Sequence, residues 1–252
     1  MELTLVEFLI VALLMLVVAA LYSSVGHGGA SGYLAVLSFF LVSPSLMSTT
    51  ALVLNVLVAG IGMVQFLRAG HFSFRLAWPF VLLSIPAAFL GGYIRISETI
   101  YFLLLAGVLL FAAYRLAAAT MGKTAEERAV QPSFPVALGA GAGIGFLSGI
   151  VGVGGGIFLS PIMILVRWAS MKQTAAISAF FIVVNSLGGL VGRFARGGLE
   201  VGAIWPFVAA AFVGGLAGSY AGSRVLTAVV LRRILAAVLF VAAFKLVLTA
   251  MR

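Results

Sequence analysis

The chain alternates long apolar runs with short polar breaks, and the run lengths predict its elements. Residues 3–22 are almost unbroken apolar side chains, about 20 in all and enough to cross ~30 Å of hydrocarbon. This stretch begins with Glu2 and Glu7 and has no Lys or Arg, unlike the basic start of a signal peptide. It therefore reads as a retained first helix, segment A. Residues 23–32 break it, and segment B, 33–42, is too short to span alone and suits a half-helix or re-entrant piece. Segments C (44–67), D (76–94) and E (99–119) follow, separated by the basic loop 68–75 and the turn 95–98. Residues 121–135, with Lys123, Glu126, Glu127, Arg128 and two prolines, form the one sustained polar stretch and read as an extramembrane linker.

Beyond the linker the pattern recurs. Trp78-Pro79-Phe80 returns as Trp205-Pro206-Phe207, an offset of 127 that also carries Gly62 to Gly189, Gly70 to Gly197 and Tyr93 to Tyr220. Val25-Gly26-His27-Gly28-Gly29-Ala30 matches Val151-Gly152-Val153-Gly154-Gly155-Gly156 at 126. Several matches in one order near one offset indicate a duplication. The second half then reads as A′ (136–148), B′ (157–168), C′ (174–191), D′ (202–220) and E′ (225–249). A′ is short and holds Gly139, Gly141, Gly143 and Gly145. Short, glycine-interrupted segments at corresponding places in two halves point to a transporter's binding site.

Composition narrows the class. The 252 residues are 63% hydrophobic and 8% charged, against about 25% charged in a soluble domain, so the chain belongs in a membrane. The excess of 15 Lys+Arg over 6 Asp+Glu falls mostly between apolar runs, as topology-setting loops require. No soluble domain carries a basic face, which excludes nucleic acid as a partner. With no cysteine and only His27 and His71, neither thiolate chemistry nor a transition-metal site is supported, and no cofactor is expected. If each half crosses an odd number of times, ten of the 15 basic residues share the linker's side. Four crossings per half give nine at best. The positive-inside rule thus favours inverted halves and a cytoplasmic linker. The expected fold is an all-α polytopic inner-membrane protein. Its homologous repeats, 1–120 and 136–252, are joined by the linker 121–135, with broken or re-entrant helices at the glycine loops. Eight or ten segments, and a monomer or a homo-oligomer, stay open.

The candidate chemistry lies at those loops. A glycine loop opening into a helix offers unpaired backbone N–H groups and the positive end of the helix dipole, a natural anion site. Gly26, His27, Gly28 and Gly29 form one such loop; Gly152, Gly154, Gly155 and Gly156 form the other. Glycines also let membrane helices pack closely, and that reading competes. No Gly-Lys-Ser/Thr follows, so neither is a nucleotide-binding loop. Asn55 and Asn185 could donate to an oxyanion without burying a charge, as could Ser178, or they could bond between helices. His27 could add charge or relay a proton, or sit neutral against a carbonyl. Arg193 could pair with a sulfonate or carboxylate, although arginines at helix ends commonly snorkel, as Lys245 is also expected to do. All six acidic residues are glutamates and none lies mid-span, so no proton carrier is evident.

The loop Gly152-Val153-Gly154-Gly155-Gly156, followed by Pro161, resembles the repeated signature of the TauE/SafE sulfite exporter family of membrane permeases. So do Thr174-Ala-Ala-Ile-Ser178, Gly70-His-Phe and Gly197-Gly-Leu-Glu200, and the likeness covers nearly the whole chain. It implies a secondary carrier of small sulfur-containing anions such as sulfite, sulfonates or related acids. The first half departs from the pattern: His27 sits in the loop, Ala30 replaces the last glycine, and no proline stands near Ala35. An anion channel and a non-transporting assembly subunit are the competing readings. No Asp pair or Ser–His–Asp set supports an intramembrane enzyme.

Overall fold

The computed structural model describes residues 4–24, 28–40, 43–118, 131–197, 204–222 and 228–251. Ten helices account for nearly all of them: α1 (Leu5–Ser24), α2 (Ala30–Ser38), α3 (Pro44–Arg68), α4 (Phe74–Tyr93), α5 (Glu98–Ala118), α6 (Phe134–Val151), α7 (Gly156–Leu165), α8 (Met171–Ala195), α9 (Trp205–Gly222) and α10 (Ala228–Ala250). No strand occurs among the described residues. Among the described residues six helices are long and apolar enough to cross a membrane, namely α1, α3, α4, α5, α6 and α8.

Local signals set several boundaries. Ser43 caps α3 by accepting from the Leu46 N–H, with Pro44 in the first turn, where it needs no donor. Ser170 and Gln173 form a reciprocal capping box that starts α8. The segments match the sequence reading within a few residues at either end, and A′ is longer than expected. Expected over 136–148, it is the 18-residue α6, about 27 Å long. Gly139 and Gly143 face open space, whereas Gly141, Gly145 and Gly149 face another backbone. A Cβ on Gly141, Gly145 or Gly149 would collide with the Phe80, Ser84 or Ala88 carbonyl of α4. Such close backbone approach offsets the low helix propensity of glycine.

The same contacts give direction. Residue numbers rise together along α4 and α6, so these helices are parallel. They also rise together along α4 and α8, where Gly188 meets the Ile85 carbonyl and Gly192 that of Phe89. In contrast, α3 and α8 are antiparallel, with Ser45 near Arg196 and Leu52 near Gly189. Because α6 and α8 start at the same end, α6, its glycine loop and α7 leave that end and return to it. On the other side of the bundle α1 runs parallel to α9, with Gly214 at the Leu16 carbonyl and Gly218 at that of Ala20. Phe8 and Phe207 stack near their starts, ring centroids 5.3 Å apart. Two apolar cores result, one drawn mainly from α1, α2, α3, α5, α9 and α10, the other from α4, α6, α7 and α8.

Candidate functional site

The second glycine loop joins α6 to α7 through three left-handed glycines. Gly152 (φ 89°) ends α6 by donating to the Ser148 carbonyl at 2.8 Å, and Gly154 (φ 77°) and Gly155 (φ 82°) lead into α7. An L-residue in this region costs roughly 1–2 kcal/mol. In the first loop Gly29 (φ 93°) caps α2. Gly26 and His27 lie outside the described residues.

Asn55 of α3 stands between the loops. Its Nδ2 donates to the Val153 carbonyl at 3.0 Å. A Cβ on Gly154 would fall 2.6 Å from that Nδ2, and one on Gly28 would fall 2.6 Å from Oδ1. One buried amide therefore touches both loops. Around it lies a void of about 20 Å³ lined by Tyr22, Gly28, Gly29, Ala30, Ser31, Asn55, Val153, Ile157 and Ile182. That volume holds roughly one water molecule.

The void is bordered by donors. Among the described residues the backbone N–H groups of Gly28, Gly29, Val153, Gly154, Gly155 and Gly156 have no acceptor. They fan out at the starts of α2 and α7, where the helix dipoles place their positive ends. Two side-chain atoms at the loops, Asn55 Oδ1 and Ser186 Oγ, are buried without a partner, as is Asn185 Oδ1 beside Ser186 in the chain. The Ser186 Oγ lies 3.0 Å from the position of a Cβ on Gly154. Buried polar groups are ordinarily paired, and these are not.

The other expected residues are placed as follows. Asn185 does not reach across; its Nδ2 donates to the Phe181 carbonyl one turn back, at 2.8 Å. Ser178 Oγ is 2.8 Å from Ser160 Oγ, which also donates to the Gly156 carbonyl, so this pair holds the start of α7 against α8. Arg193 does not snorkel. It is 3% exposed, and its Nη2 donates to the Gly149 and Ile150 carbonyls, both at 2.9 Å. A guanidinium there satisfies carbonyls that α6 leaves free at its C-terminus. Lys245 does not snorkel either: its Nζ donates to the Ser38 carbonyl at 2.8 Å and lies over the Phe39 ring.

Some contributors have no signal in the sequence. Tyr22 bonds Ser31 at 2.6 Å beside the first loop, and the Tyr101 hydroxyl donates to the Val151 carbonyl at 3.2 Å beside the second. A tyrosine in an apolar run reads as ordinary core. Ser186, next to Asn185, carries no signal of its own in the sequence.

The match to the sulfite exporter TauE/SafE family runs over residues 11–246. The chain belongs to that family. The "Probable membrane transporter protein y4hK" of Sinorhizobium fredii (strain NBRC 101917 / NGR234) is 39% identical to it over 238 residues. The alignment covers 93% of this chain and 96% of the relative. No solved structure matches. The protein is a multi-pass membrane transporter of TauE/SafE type.

Proposed function

We propose that this transporter is a secondary carrier of small anions, foremost sulfite, sulfonates and related acids, that works by alternating access about its two glycine loops. One observation carries the reading: two helix starts with unpaired N–H donors converge on a single buried amide, Asn55. Each half-site stabilises negative charge by dipole and hydrogen bond without a buried cation. The family's name supports the sulfur oxyanion.

The void of about 20 Å³ is far smaller than a four-heavy-atom oxyanion with its contacts. Binding therefore requires the loops to part, as in a carrier whose site is closed between its open states. The helix directions support inverted halves in the inner membrane. In this reading α1 and α2 dip from one face, α6 and α7 from the other, and the linker is cytoplasmic. Small sliding of the α6–α7 hairpin against α4 would open one face at a time.

The test is flux of labelled sulfite into proteoliposomes. A carrier gives saturable uptake that accelerates when unlabelled sulfite is preloaded inside. Uptake linear in concentration and unaffected by preloading would establish a channel instead. Sealed vesicles showing no flux of sulfite, methanesulfonate or acetate would remove the anion reading.

A further inference from the structure

A second cavity of about 400 Å³ opens at the end of the bundle where α4 and α8 finish and α3 and α5 begin. Ser43, Ser45, Ser48 and Tyr101 line it, together with Arg95, Arg193 and Arg196. Glu98 is the one carboxylate on its wall, and among the described residues none of the three guanidiniums is ion-paired.

Arg193 lies at the floor. Capping α6 occupies only Nη2. Nε is buried without a partner, and Nη1 has none among the described residues. Helix capping thus accounts for part of this side chain and leaves the rest of its donors unexplained. Above it, Arg196 donates to the Ile94 carbonyl at 3.2 Å and to Ser45 Oγ at 3.4 Å, while Arg95 donates to the Arg196 carbonyl. These bonds hold like charges together around a common space. An anion in that space would relieve their mutual repulsion, and guanidinium groups bind oxyanions by short charge-assisted bonds.

We propose that this vestibule is an anion site in its own right, separate from the glycine loops, where Arg193, Arg196 and Arg95 bind a small sulfonate, sulfate or carboxylate. Its ligand shares the oxyanion chemistry of a lipid phosphate, so the test separates the two sources. Purified protein in neutral detergent is treated with p-hydroxyphenylglyoxal, and adducts at Arg95 and Arg196 are quantified by peptide mass spectrometry. Methanesulfonate and sulfate are the probes, because sulfite itself adds to the reagent's carbonyls. Chloride at matched ionic strength is the reference, and exposed Arg75 is the internal control. The probes are expected to slow modification of Arg95 and Arg196 several-fold and leave Arg75 unchanged. Arg193→Gln should raise the concentration needed for protection about tenfold, as loss of one charge-assisted contact implies. Equal modification in probe and chloride would overturn the proposal, as would protection by phosphatidylglycerol alone. Should Arg193→Gln not fold, the wild-type comparison decides alone. Modification is read at the vestibule, not as flux, so the result is independent of the glycine-loop site.

Discussion

Replacing Gly154 by alanine perturbs the site at the point where both loops meet Asn55. The backbone there has φ 77°, which costs an L-residue roughly 1–2 kcal/mol. The new Cβ would also lie 2.6 Å from Asn55 Nδ2, 2.9 Å from Ile182 Cγ2 and 3.0 Å from Ser186 Oγ. The amide must give way, and with it the bond to the Val153 carbonyl, worth about 1 kcal/mol. The total is about 2–3 kcal/mol of destabilisation, together with a displaced Asn55. Gly143 supplies the contrast. It lies within α6 with nothing within 4 Å of its Cβ position, so alanine there should stabilise by about 0.5–1 kcal/mol. Both variants would be purified, their thermal unfolding followed in detergent, and sulfite flux measured in proteoliposomes. Gly154→Ala should unfold at lower temperature and lose most of its flux; Gly143→Ala should match or exceed wild type in both. A Gly154→Ala protein of wild-type stability and flux would refute the reasoning, and so would equal damage from Gly143→Ala.

Two further outcomes follow from the same geometry and a third from the sequence. Asn55→Asp also withdraws the donor from the Val153 carbonyl, but its carboxylate faces the unpaired N–H groups of two helix starts as the anion would, so flux is lost while stability falls less than in Asn55→Leu. Asn55→Leu strands the buried Val153 carbonyl at a cost of about 1–3 kcal/mol, and an Asp variant less stable than the Leu variant would contradict the electrostatic account. Gly145→Val sets a branched side chain against the Ser84 carbonyl of α4 and should abolish folded protein by size-exclusion chromatography; a monodisperse, active variant would show that α4 and α6 are not held this closely. His27→Ala removes the loop histidine, whose unperturbed pKa is about 6.5, and should abolish any pH dependence of flux between pH 5.5 and 7.5; a wild-type profile would exclude a proton relay there.

The hydrophobic pattern alone determined the helical membrane class, the position of most helices and the two breaks at glycine loops. Run length and composition carry that information, because bilayer thickness and unsatisfied backbone groups act on any segment regardless of its neighbours. Tertiary structure decided what the glycines are for. Gly141, Gly145 and Gly149 lie within an intact helix and press against the α4 backbone, whereas Gly152, Gly154 and Gly155 adopt left-handed turns. In the sequence both groups are merely glycine in an apolar run. Tertiary structure also separated two asparagines of similar setting: Asn55 reaches a loop 98 residues away, while Asn185 bonds within its own helix. It turned Arg193 from an expected surface anchor into a buried cap on α6. The physical reason is common to all three. Side-chain type fixes which bonds a residue can make, but only the packed helices fix which partner lies within reach.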